Sequence, residues 1–117
     1  MSKTKSEVGL LALQMMRAVE GDATPDSNDT SIIEDAYDEI YQKLYAKSLV
    51  SWSATGSVPD ECVMPVAYLT AEARLPLFEV PLDVQQFIIG KASRAMGDLT
   101  EVLSVDYVPR TYSSEPL

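Results

Sequence analysis

The chain has no histidine, one cysteine, one tryptophan, and only 9 basic residues against 18 acidic ones. Without histidine, the commonest general base and metal ligand near neutral pH is missing. Cys62 is alone, so no intrachain disulfide can form, which suits a reducing cytoplasm. With no histidine to activate it and Glu61 beside it, Cys62 is expected to be a small apolar filler rather than a nucleophile. No phosphate-cradling glycine loop, dinucleotide fingerprint or nucleophile elbow occurs. No stretch approaches the ~20 apolar residues of a membrane span. The apolar run after Lys3 and Lys5 has the outline of a secretion signal, but Glu7 precedes it and Gln14 and Arg17 break it. A helix is the better reading. Nothing here supports an enzymatic role or a bound cofactor.

The shortage of basic residues leaves a net charge of −9. From Glu20 to Glu39 the carboxylates of Glu20, Asp22, Asp26, Asp29, Glu34, Asp35, Asp38 and Glu39 meet no Lys or Arg. That balance argues against gripping phosphate backbones, which takes clustered cations to displace counterions. It suits solubility, a basic protein partner, or a surface that repels DNA. The loop Gly21–Thr30 lacks the alternating ligands and glycine of a calcium-binding EF-hand, so it reads as an acidic turn leading into a helix N-terminus. Glu34 and Asp38 could hold a cation in principle, although such i,i+4 acidic pairs are common on exposed helix faces.

What is present is a sizeable apolar fraction, 46% of 117 residues, enough for one domain with one core. Ser31–Trp52 reads as the helix around which the others assemble. Ser31 and Glu34 have capping-box spacing, and Ile33, Tyr37, Ile40 and Leu44 form one stripe, widened by Tyr41. Trp52 follows, where its ring can close the end of a small core. An earlier helix is expected from Thr4 to Glu20, capped by Thr4 with Glu7 and ended by Gly21. Its residues Leu10, Leu13 and Met16 leave little polar face. They fit either a helix central to the core or a subunit interface.

A third helix is expected to begin between Asp60 and Met64, with Pro65 tolerated in its first turn. Val66, Leu69 and Ala73 would be its buried positions, and Pro76 would end it. A fourth runs from about Asp83, as N-cap, to Leu103. Val84, Phe87, Ile88, Ala92, Ala95, Leu99 and Leu103 share its apolar spacing. Gly90 and Gly97 flatten one side and suggest a close backbone, from this chain or a neighbouring subunit. The last segment, Ser104–Leu117, changes character: Pro109 and Pro116 forbid a long helix, and Val105, Tyr107, Val108 and Tyr112 favour extended backbone. It is either a loose tail or an arm ordered by a partner. The expected fold is all-α, three to four helices over residues 1–103, with an extended C-terminal arm over 104–117.

These elements resemble the head-to-tail adaptor, or head-completion, proteins of tailed bacteriophages. The resemblance rests on the run Val8-Gly9-Leu10-Leu11-Ala12-Leu13-Gln14 and the turn Gly21-Asp22-Ala23-Thr24-Pro25. It continues with Ala36, Ile40, Tyr41 and Leu44, then Trp52, Pro59 and the stretch Leu69-Thr70-Ala71-Glu72-Ala73. It spans about Val8 to Leu103, and Pro65 and Pro76 depart from the family's pattern. The resemblance implies a structural virion protein of the head–tail neck, assembled in the host cytoplasm. It would form a dodecameric homo-oligomeric ring beneath the portal protein, extend the DNA channel, retain packaged DNA and present a seat for the tail or neck protein below. It further implies portal binding by the C-terminal arm, here Val105, Tyr107, Val108, Pro109, Arg110 and Tyr112. A ring would employ Leu10, Leu13, Met16, Gly90 and Gly97 between subunits. From charge, Asp35, Asp38 and Glu39 are candidates to line a channel in which DNA slides without sequence-specific contact. The rival reading is an acidic helical binding module, a regulator or DNA mimic, acting as a monomer or dimer.

Overall fold

The structure is a computed structural model that describes residues 2–18 and 25–107, with side chains as far as Val102 in the last helix. Its helices are α1 (Lys5–Met15), α2 (Ser27–Ala46), α3 (Asp60–Ala73) and α4 (Leu82–Tyr107), with a 3₁₀ turn at Leu75–Leu77 before α4. Among the described residues the only β pairing is an isolated antiparallel bridge. Lys3 and Val58 exchange two backbone hydrogen bonds, of 3.0 and 2.7 Å, and pin the N-terminal segment to the loop before α3.

α1 begins as its sequence dictates. The Thr4 hydroxyl accepts from the Glu7 amide at 3.2 Å, and the Glu7 carboxylate accepts from the Thr4 amide at 2.8 Å. It ends earlier than Glu20, because Arg17 turns into the left-handed region at φ 60°. The Ala18 amide then reaches the Leu13 carbonyl and the Arg17 amide that of Gln14, which is the Schellman arrangement that occupies orphan carbonyls. Gly21, the expected terminator, lies outside the described residues. α2 ends the same way: Ser48 sits at φ 59° while the Leu49 amide bonds to Leu44 and the Ser48 amide to Tyr45. Neither position holds glycine, so each turn carries a steric cost of about 1–2 kcal/mol. Burial of Leu49 against the Leu44 cluster works against that cost.

Other positions also differ from the sequence expectation. α2 starts at Ser27, not Ser31, because Asp26 caps it by accepting from the Asn28 amide at 3.2 Å. Ser31 lies within the helix, and Glu34 accepts instead from the Ser6 hydroxyl of α1 at 2.9 Å. At its other end α2 stops at Ala46, so Trp52 lies in the following loop. Pro65 is the sixth residue of α3, past the first turn, so the Glu61 carbonyl has no i+4 amide donor. Asp83 is the second residue of α4 rather than its cap; its carboxylate still favours the positive helix end. Ser104–Tyr107 continue α4 rather than opening the extended arm. Extending a formed helix costs far less than nucleating one, and this outweighs the β preference of Val105 and Tyr107. Residues 108–117 of that arm, with Val108, Pro109, Arg110 and Tyr112, lie outside the described residues.

The helices alternate in direction. Lys5 meets Asp38 while Gly9 meets Ile33, so α1 opposes α2. Tyr41 and Leu44 share a cluster with Cys62 and Val63, while Ile33 and Ala36 share another with Ala71 and Leu75, so α2 opposes α3. Val63 and Val66 lie with Ala95 and Leu99, and Ala71 with Val84 and Ile88, so α3 opposes α4. α2 and α4 therefore point the same way. α3, rather than α2, is the shared wall: it packs against all three other helices.

The stripe Ile33, Tyr37, Ile40, Tyr41 and Leu44 is buried, as are Val66 and Leu69 of α3. α1 owes its lack of a polar face to this interior: Leu13 and Met16 are 0% and 1% exposed. They are packed within one chain, so they are not available to a neighbouring subunit. Leu10 is half-buried. On α4, Val84, Ile88, Ala92, Ala95 and Leu99 are buried, but Phe87 is 56% exposed. It lies about 100° around the helix from Ile88, off the buried stripe.

Candidate functional site

The end of the bundle at the α2–α3 loop is closed by an aromatic clasp. Tyr37, Tyr41 and Tyr45 follow one another at i+4 along α2, with successive ring centroids 6.5 and 6.2 Å apart. Trp52 stands edge-on to Tyr41 at 6.3 Å. Its indole N–H donates to the Tyr37 hydroxyl at 3.1 Å, and the Tyr41 hydroxyl donates to the Trp52 carbonyl at 2.7 Å. Burial pushes the Tyr37 phenol pKa above its ordinary value, against a smaller lowering by the Trp52 hydrogen bond. Tyr45 ends the ladder and is largely exposed.

The acidic face of α2 is only partly free. Lys5 of α1 reaches Asp38 at 3.2 Å. Arg74, after α3, grips Glu39 through both guanidinium nitrogens, at 2.6 and 3.3 Å. Hydrogen bonding to Arg74, with its charge, lowers the Glu39 pKa, and the same contact raises that of Arg74. Asp35 is exposed and has no ion-pair partner among the described residues. The three candidate channel residues thus share one exposed helix face, two of them engaged with cations of their own chain. The Glu34–Asp38 pair is likewise spent on Ser6 and Lys5. Among the described residues no group of three or more cysteines or carboxylates is gathered to hold a metal. Cys62 is buried in the core.

α4 presents a different surface. Phe87 packs edge-on against Tyr68 of α3 at 6.2 Å, with the Lys91 ammonium 5.5 Å from its ring centre. Beside them, Met64, Pro65, Tyr68, Lys91, Arg94 and Asp98 line an open groove between α3 and α4. Leu77, Leu82, Phe87 and Ile89 are all at least 45% exposed within thirteen residues of chain. The sequence pattern did not single these out as surface, because Phe87 fits the apolar spacing and the 3₁₀ turn obeys no helical period. A Cβ built on Gly90 or on Gly97 meets nothing within 4 Å. No backbone among the described residues passes there, so the close approach expected at those glycines is not made by the described part of this chain.

No helix among the described residues is long and apolar enough to cross a membrane. Compared with family models, curated proteins and solved structures, the chain finds no match.

Proposed function

We propose that this chain is a structural adaptor of the phage head–tail neck, one copy of a ring that docks beneath a portal, continues the DNA channel and seats a tail component. The observation that carries the reading is a helical core completed inside one chain, beside large apolar side chains left exposed at Leu77, Leu82, Phe87 and Ile89. Exposed apolar side chains of this size, four within thirteen residues, fit protein contact. The acidic balance fits a channel wall that does not hold DNA. The open glycine edge of α4, at Gly90 and Gly97, permits a close neighbour. In this reading Val105 and Tyr107 belong to the α4 end nearest the portal, and Val108, Pro109, Arg110 and Tyr112 follow as the portal-binding arm.

Sedimentation of the protein mixed with portal rings tests this directly. Co-migration near one copy per portal subunit is the expected result. Truncation after Tyr107 keeps α4 whole and should abolish docking. A well-folded chain that stays small with every portal offered overturns the reading in favour of the acidic binding module. That rival is disfavoured because Glu39, central to any display of carboxylates, is gripped by Arg74 through two hydrogen bonds.

A further inference from the structure

Two exposed strips, one on α2 and one on α4, match each other. On α2, Ser31, Asp35, Asp38, Gln42 and Tyr45 recur at spacings of 4, 3, 4 and 3, and all five are exposed. On α4, Phe87, Lys91, Arg94, Asp98 and Glu101 recur at the same spacings and are also exposed. Steps of 4 and 3 keep each strip along one face of its helix. Set side by side in parallel, the strips oppose Asp35 to Lys91 and Asp38 to Arg94. Lys91 and Arg94 make no ion pair among the described residues. Asp38 holds Lys5 in an exposed contact, which leaves its carboxylate able to accept from a guanidinium as well. An antiparallel setting with Tyr45 against Phe87 keeps Asp38 against Arg94 but moves Asp35 from Lys91 onto Asp98, which repel.

From this complementarity we infer that the α4 strip, with the groove it shares with Tyr68 and Met64, is the docking site for α2 of a second copy of this chain. Lys91 meets Asp35 and Arg94 meets Asp38. The direction of the helices agrees, since α2 and α4 run the same way within the bundle. A neighbour rotated about an axis along the bundle brings its α2 parallel to this α4. Each copy then contributes two different patches, so the contact is heterologous and propagates around a closed rotation instead of ending at a dimer. Asp35 and Asp38 are thereby placed between subunits rather than on a channel wall. This deepens the ring reading above, but its test involves no portal. Failure of portal docking would leave it standing, and its failure would leave portal docking to be judged separately.

The experiment is sedimentation velocity of the full chain over a concentration series extending to the millimolar range, at low and high salt. The wild type should gain mass with concentration and lose that gain in high salt, because the contact is ionic at its surface. K91E/R94E and D35K/D38K should each weaken self-association roughly tenfold or more, through like charges set face to face. An equimolar mixture of the two should recover it, because opposite charges again face each other at both kinds of contact. D35K mixed with K91D repeats the swap without touching the Lys5–Asp38 pair, and far-UV circular dichroism checks that each variant keeps its helices. A wild type that stays monomeric throughout, variants that associate as it does, or mixtures that fail to recover overturn the inference.

Discussion

α2 and α4 are the two longest helices, point the same way and both lean on α3, yet they are held by different means. α2 is buried along a full stripe and tied laterally by Lys5, Ser6 and Arg74, with Trp52 locked over its end. α4 packs mainly on α3 and, among its described side chains, makes no ion pair and no side-chain hydrogen bond to another helix. Exposed pairs contribute little each, but they fix where a helix lies. A helix held by apolar contact on one side keeps its remaining surface for a partner. The difference separates a helix that completes the monomer from one that offers it to others.

The largest test of that contrast is in the core. Leu44→Ala on α2 and Ile88→Ala on α4 should each cost about 2–5 kcal/mol, since both side chains are fully buried. Urea unfolding followed by Trp52 fluorescence and by far-UV circular dichroism measures both. The two probes should diverge for Ile88→Ala, with α4 loosening before the Trp52 end, and coincide for Leu44→Ala. Coincidence in both variants would mean that α4 is as firmly integrated as α2.

Smaller effects sharpen the comparison. Removing the clasp hydrogen bond with Tyr41→Phe should cost about 1 kcal/mol, read in the same urea titration. Gly90→Ala and Gly97→Ala should work in the opposite direction, each stabilising the free chain by about 1 kcal/mol, because nothing stands where the methyl group goes. If the open glycine edge is a subunit contact, the doubly substituted protein should melt higher and yet assemble less well. Gly9→Ala lacks that freedom: its Cβ would lie 3.1 Å from Ile33 Cγ2, so the gain should shrink or reverse in a thermal melt.

pH separates the two helices as well, and both titrating groups belong to α2. Tyr37 has a raised folded-state pKa, so its contribution is fully present below the unfolded value near 10 and is lost as pH rises through the folded one. Melting temperature should therefore fall above pH 10, and Tyr37→Phe should flatten that fall. Glu39 is depressed, so its contribution is present above the unfolded carboxylate pKa and disappears as pH drops through the folded one. The loss is the smallest expected here, because the pair with Arg74 is exposed and screened by salt. Glu39→Gln should erase it in melts below about pH 4.5.

Much of the fold was legible in the residues. The Thr4–Glu7 box, the α2 stripe and the Trp52 closure follow from local hydrogen bonding and from a period of 3.6, which depend on near neighbours in the chain. The misplaced boundaries were competitions between local signals. Asp26 and Ser31 both precede plausible first turns, and the Asp26–Asn28 hydrogen bond, with Glu34 drawn to Ser6, shows which one caps. Phe87 and Leu13 were both read as apolar positions, and their fates diverged: Leu13 is packed into a cluster with Ile33, Ala36 and Ala71, while Phe87 falls beside the α3–α4 contact.

Composition and periodicity alone determined an all-α domain, an acidic surface and the identity of most buried side chains, because burial of a stripe is a property of one helix. Only the tertiary structure decided which cations the α2 carboxylates meet, that α3 is the common wall, and that the glycines of α4 face open space. Those facts depend on where separate helices come to rest, and contacts between residues some 35 positions apart leave no periodic trace in the chain.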